Sequence, residues 1–302
     1  MFNKPYIVAE IGINHNGSLE RAKKLIGIAK KCGAHAIKTQ TFIPRNLVTA
    51  SSKMANYQIK NTKKNITQMK MLEKYTLSFS EQMNLFNFCK KIKIDFLSTP
   101  FDNDSYEFLR DTLKLKTLKI SSGDIDNVPF LWKIAKDKKK IILSTGTADV
   151  NTINQSLVTI YCGYNNIQLK NKNLKQSPNL KMLRFLKNKV FLLHCTTSYP
   201  TSLDEANMNS VKFLKDKYFL DVGFSDHTIG SLSSVLAVSM GARIFEKHLT
   251  LNKKLSGPDH ICSTNPKEFS DYVKNIENSF VALGKYTKKT TKTEISNKKI
   301  VR

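Results

Sequence analysis

Asp221-Val222-Gly223-Phe224-Ser225-Asp226-His227 is answered some twenty residues on by Ala242-Arg243-Ile244-Phe245-Glu246-Lys247-His248. Each run is short, rich in apolar and β-branched residues, and ends on a histidine. The segment between them, residues 230–240, has helical character. The pattern is strand, helix, strand, with polar residues at the C-terminal tip of each strand. In a parallel α/β fold such tips lie side by side, and ligands bind there. Two neutral imidazoles on adjacent tips, beside Ser225, Asp226 and Glu246, could hold a divalent metal with coordination positions left open. Two structural histidines satisfied by hydrogen bonds would leave the same trace. The matched position at two strand ends sets this pair apart from histidines placed at random.

Working outward, the chain repeats this unit. Apolar runs at 6–11, 34–39, 94–98, 117–120, 140–143, 189–193, 218–223 and 243–246 read as strands. Helical spacing follows at 19–32, with Ser18 as N-cap, and at 80–91, 103–112, 151–161, 208–217, 231–241 and 266–283. Pro129 sits in the first turn of one further helix, a favoured place for it. Strict alternation predicts a parallel sheet with right-handed crossovers. Eight units predict closure into a TIM (β/α)8 barrel over residues 1–283. An open doubly wound sheet is the alternative, but no Gly-x-Gly-x-x-Gly turn or Walker loop is present. Residues 44–76 read as a polar loop, too long to be idle. Residues 165–181, rich in Asn, Lys and Gln, read as a surface insertion, and 284–302 as a linker-like tail.

The 302 residues carry 49 Lys and Arg against 24 Asp and Glu, a net charge of +25. The lysines are scattered through nearly every helix and accompany no recognition motif, which argues against nucleic acid. A cationic surface can still draw anionic substrates toward a cleft. Five cysteines, an odd number with no C-x-x-C, fit a reduced, cytoplasmic protein. No signal peptide opens the chain and no apolar run is long enough to span a membrane.

Buried parallel strands should be apolar throughout. Here nearly every strand ends in polar groups: Glu10, Lys38, Gln40, Thr99, Lys119, Ser122, Asp124, Ser144, His194, Tyr199, Ser225, His227, Glu246 and His248. Any one of these could be a helix cap, as Ser144 could. Charges at Glu10, Lys38 and Lys119 are harder to dismiss, because burying a charge is costly unless it is paired. Together they mark an active site at the barrel mouth. Two lysines with the hydroxyls of Thr99, Ser122, Ser144 and Ser225 can cradle a phosphate. Glu10, Asp124 and Glu246 supply acids and bases. A Schiff base on Lys38 or Lys119 is the mechanistic competitor.

The motifs resemble the sialic acid synthase family, whose members make N-acetylneuraminate, legionaminate and related nonulosonates. The resemblance spans residues 5–302. It rests on Ala9-Glu10-Ile11-Gly12-Ile13-Asn14-His15-Asn16-Gly17, Ser98-Thr99-Pro100-Phe101, 119–124, Leu143-Ser144-Thr145-Gly146, 194–200, Ser225-Asp226-His227-Thr228, Glu246-Lys247-His248 and Ser256-Gly257-Pro258-Asp259. It implies condensation of phosphoenolpyruvate with an N-acetylated mannosamine-type sugar, either N-acetylmannosamine or 2,4-diacetamido-2,4,6-trideoxymannose, with release of phosphate. Carried over, His227 and His248 would bind Mn²⁺, with Mg²⁺ or Co²⁺ as alternatives. Lys38, Thr99, Lys119, Ser122, Ser144 and Ser225 would hold phosphoenolpyruvate. Glu10 and Asp124 would lie near the reacting carbons, and Gln40, Tyr199, Glu246 and Asp259 near the sugar.

Three departures from the family pattern stand out. Asp124 replaces the usual bacterial Glu, as in the animal enzymes. Thr197 stands where Asn is frequent and, with Met54-Ala55-Asn56-Tyr57-Gln58, leans toward the legionaminate branch. The chain stops near where the family's antifreeze-protein-like domain begins, so a homodimer is expected without the usual domain swap, and sugar binding should suffer more than phosphoenolpyruvate binding. A non-catalytic sugar- or phosphate-binding relic is the reading from outside enzymology.

Overall fold

The apolar runs become eight strands in the computed structural model, which describes residues 4–62 and 66–301. They are β1 (Tyr6–Glu10), β2 (Ala36–Thr41), β3 (Asp95–Pro100), β4 (Thr117–Ile120), β5 (Lys140–Ser144), β6 (Val190–His194), β7 (Asp221–Asp226) and β8 (Ile244–His248). All pairings are parallel, in the order β3-β2-β1-β8-β7-β6-β5-β4. The two end strands, β3 and β4, come against each other, which rolls the sheet into a nearly closed barrel. The expected TIM barrel is therefore the fold.

Local chemistry fixes the helices around it. Ser18 caps Leu19–Lys31, and Asp102 caps Asn103–Glu107. Capping boxes start Phe79–Ile92 (Ser78 with Glu81) and Pro266–Leu283 (Asn265 with Glu268). Inside the barrel, Val8, Ala36, Leu97, Ile142, Phe191, Leu193 and Ile244 form a small packed layer. The larger core lies between strands and helices, from Ile7 and Leu25 round to Phe269 and Ile276.

Several strands run further than their apolar stretches indicate, reaching Thr41, Pro100, Asp226 and His248. The polar tips stay in the ladder because they satisfy one another across it, as where Ser225 pairs with Glu246 and Asp226 with Lys247. Residues 44–76 are not one loop. They hold the helices Pro44–Leu47, Asn56–Thr62 and Gln68–Tyr75, while 63–65 lie outside the described residues. Ile13, Phe42, Met54, Met71, Leu72 and Tyr75 give this segment its own apolar cluster, which roofs the barrel mouth. The insertion ends in a helix, Leu180–Leu186, whose Leu183 and Leu186 are buried. The tail likewise carries a helix, Lys292–Val301, where a linker was expected.

Candidate active site

A cavity of about 460 Å³ opens at the C-terminal tips of the strands. Glu10, Lys38, Gln40, Thr99, Lys119, Ser122, Ser144, Tyr199, Ser225, His227, Glu246, His248 and Asp259 all line it. Of the residues the sequence nominated, Asp124 is outside this lining. It ends the single 3₁₀ turn Ser122–Asp124, and its carboxylate accepts from Asn127 Nδ2 at 3.2 Å. With three residues per turn, alternate side chains cannot face the same way. Ser122 points in, and Asp124 is turned aside. His194 also leaves the site. Its Nε2 bonds the Ala206 carbonyl at 2.8 Å and its ring stacks on Phe224.

Strand alternation explains the two opening motifs. Ser225 on β7 and His227 just past its end, and Glu246 and His248 on β8, point inward. Asp226 and Lys247 point outward, pair at 3.1 Å, and are almost wholly buried under the helix shell. Asp226 also accepts from Ser234, Thr228 Oγ1 and the Thr228 backbone.

Inside, the charges interlock. Lys38 Nζ lies 2.7 Å from Glu10 Oε2 and 2.8 Å from Glu246 Oε2. Lys119 Nζ lies 3.6 Å from Glu246 Oε1, which also accepts from Ser225 Oγ at 2.9 Å. Glu10 Oε1 accepts from the Gly12 backbone at 2.8 Å. Burial pushes the Glu246 carboxyl up, but Lys119 and Lys38 overturn this and hold it ionised. Burial lowers the Lys38 ammonium to about 7, against the pull of Glu246. The result is a buried, charge-paired cradle rimmed by hydroxyls.

The two histidine rings lie with centroids 5.6 Å apart, tilted by 58°, and the Tyr199 ring lies 4.2 Å from that of His227, tilted by 36°. His227 Nδ1 donates to the Thr196 carbonyl at 2.7 Å, which leaves Nε2 with its lone pair. His248 Nδ1 is buried without a hydrogen-bond partner. Burial lowers His227 to about 4 and His248 well below the usual imidazole range, so both are neutral. Asp259 shares the cavity, its carboxyl pushed up to about 7 by burial. Among the described residues no cluster of three or more His, Cys, Asp or Glu is placed to hold an ion. What the residues fit is a divalent ion on two imidazole nitrogens, with its remaining positions open to water or substrate.

Residues 25–288 match the family model described as the NeuB family. The chain belongs to the NeuB family. The N,N'-diacetyllegionaminic acid synthase of Campylobacter jejuni is 43% identical over 299 residues, covering 99% of this chain and 83% of that protein. Its Legionella pneumophila counterpart is 38% identical over 297 residues, 98% of this chain and 78% of that one. Among solved structures, the N-acetylneuraminic acid synthetase of Leptospira borgpetersenii superposes with a TM-score of 0.79 at 29% identity, over 99% and 91% of the two chains. This NeuB-family protein is an enzyme of the sialic acid synthase type, and its chemistry is nonulosonic acid synthesis.

Two parts of the NeuB site were only partly legible in the sequence, where Gln58 and Thr197 stood out and most of their neighbours did not. The roof contributes Leu47, Val48, Gln58, Gln68, Met71 and Leu72 to the lining, and Cys195 and Thr197 come from the loop after β6. The length of the 44–76 segment was the signal that it mattered, and outside Met54-Ala55-Asn56-Tyr57-Gln58 no motif ranks its side chains. Conversely, Asn14, His15 and Asn16 belong to a signature yet serve as ties. Asn14 Nδ2 donates to the Leu249 carbonyl and Ser263 Oγ, and His260 bridges Thr250 Oγ1 and Asn16 Oδ1.

Proposed function

We propose that this enzyme condenses phosphoenolpyruvate with an N-acylated mannosamine-type aldose, and that 2,4-diacetamido-2,4,6-trideoxymannose is preferred to N-acetylmannosamine. One observation carries the reaction type: two buried lysines and four hydroxyls converge beside two neutral histidines in one cavity. The sugar preference draws support from the two legionaminic acid synthases at 43% and 38% identity.

In this reading Lys38 and Lys119, with Thr99, Ser122, Ser144 and Ser225, hold the carboxylate and phosphate of phosphoenolpyruvate. The substrate's anionic groups take over the lysine contacts that Glu10 and Glu246 make in the free protein. Gln40, Tyr199 and Asp259 border the open-chain sugar. Carbon 3 of the enol attacks the aldehyde carbon, and carbon 2 becomes cationic. The Asp259 carboxyl, still part-protonated near neutrality, supplies the proton to the former aldehyde oxygen. Water adds at carbon 2 and gives its proton to Glu10. The bond from carbon 2 to the phosphate oxygen then breaks, the carbon 2 hydroxyl gives its proton to the departing phosphate, and a ketone forms. His227 and His248 would hold a divalent ion, Mn²⁺ by preference, which would supply Lewis-acid polarisation of the aldehyde.

The test is phosphate release from phosphoenolpyruvate with each sugar, in Mn²⁺ and in EDTA. Release that needs both metal and one sugar is expected. Lys38 favours a second reading, since an amine lowered to about 7 can form a Schiff base. Its clamp between two carboxylates argues for a permanent ammonium. Borohydride with a keto acid should therefore trap nothing, and a trapped adduct would favour the aldolase. Phosphoenolpyruvate binding without release for any sugar would favour a binding protein.

A further inference from the structure

We propose that Gln58 and Gln68, on the roof of the cavity, read an acetamido group of the sugar. This rests on the functional reading above and adds to it the residues that recognise the acyl group. Gln68 lines the cavity, and its Oε1 is buried and has no hydrogen-bond partner. A buried acceptor left unpaired is costly, so this oxygen is suited to an N–H brought by the ligand. Gln58 is complementary. It is buried, its Oε1 is taken by the Ala55 backbone N–H at 2.9 Å, and its Nε2 makes no hydrogen bond to another described residue. The roof thus offers one acceptor and one donor, the pattern an amide needs.

The surface between them selects the rest of the group. Leu47, Val48, Met71 and Leu72 line the same wall and give an apolar seat for an acyl methyl. The lysines of the cavity, Lys38 and Lys119, belong to strands β2 and β4, and no lysine or arginine comes from the described roof residues that line it. A phosphorylated sugar would find no cation under this roof. The roof is also held in place. Asn61 Nδ2 donates to the Pro258 carbonyl at 2.6 Å, next to Asp259, and Lys53 bridges Thr67 across the segment. Binding therefore starts from a preorganised pair of amides.

The experiment compares Gln68→Met and Gln58→Met with the parent protein in phosphate-release kinetics. The substrates are the acetamido sugar that the parent uses and its counterpart with hydroxyl in place of acetamido. Met keeps the volume and flexibility of Gln, and an unchanged KM for phosphoenolpyruvate reports an intact site. For each variant the expected result is a rise of about tenfold in sugar KM, the size of one lost hydrogen bond, with kcat and the phosphoenolpyruvate KM unmoved. Discrimination against the hydroxyl counterpart should fall by the same factor. Unchanged sugar KM in both variants, or equal losses on both sugars, would overturn the proposal. A parent protein that turns over none of the acylated mannosamines would overturn the functional reading itself.

Discussion

Lys38 sits where three requirements meet: it is buried, it is held by Glu10 and Glu246, and it borders the cavity. Lys38→Met removes the shared partner of two carboxylates, leaving Glu10 without its cation and Glu246 with only Lys119 and Ser225. Stability should fall by about 3 kcal/mol or more, the scale for breaking a buried pair from one side. Activity at saturating sugar should fall at least about a hundredfold, as for loss of one preorganised electrostatic contact. Urea unfolding and phosphate-release kinetics check the two halves separately. The histidine ties give a pH prediction. His15 and His260 are both lowered by burial to about 4. Between about 6.5 and 4 the unfolded chain binds protons that the folded chain refuses. Stability is therefore full above pH 6.5 and is lost as pH falls toward 4, with roughly 3 kcal/mol from His15 alone. An unfolding midpoint that stays constant from pH 7 to pH 5 would contradict this.

At the scale of the element, β7 and β8 divide their side chains between two environments. The inward residues do chemistry in the cavity. The outward pair, Asp226 and Lys247, locks both strands to the helix shell through Ser234, with Tyr272 beneath the lysine. His227 and His248 are each one residue from that lock. Lys247→Met should destabilise the protein by about 3–5 kcal/mol, because Asp226 is left charged and buried. Asp226→Asn should do comparable damage. The double variant should recover a large part of the loss, giving a coupling energy above about 1 kcal/mol in a double-mutant cycle. Strict additivity would show that the pair does not act as a unit.

Across the whole molecule the net charge of +25 is the dominant long-range feature. It surrounds a cavity whose floor carries Lys38 and Lys119. Such a field concentrates a trianionic substrate and is screened by salt, whereas a neutral sugar is indifferent to it. Raising the ionic strength from 0.02 to 0.5 M should therefore lower kcat/KM for phosphoenolpyruvate by roughly threefold or more. The sugar KM should stay put. Equal salt effects on both substrates would point to a general loss of structure rather than steering. None of the described helices is long and apolar enough to cross a membrane.

The sequence alone determined the barrel, because period, alternation and strand count are written locally. Eight apolar runs separated by helical spacing leave few ways to bury the strands. It also revealed most of the cavity wall, since charged residues at the ends of apolar strands have to be brought together to be tolerated. Tertiary structure decided which way each tip side chain faces. Asp226 stood beside the histidine pair as readily as Ser225 or Glu246 until the pleat turned it outward toward Lys247, and one 3₁₀ turn was enough to take Asp124 out of the cavity lining. It also decided the roof. Gln58 ends a stretch that leans toward one branch of the family and Gln68 belongs to none, and both reach the site only because a small apolar cluster folds their helices over the barrel mouth. A strand tip is placed by its own ladder, but a roof is placed by everything it rests on.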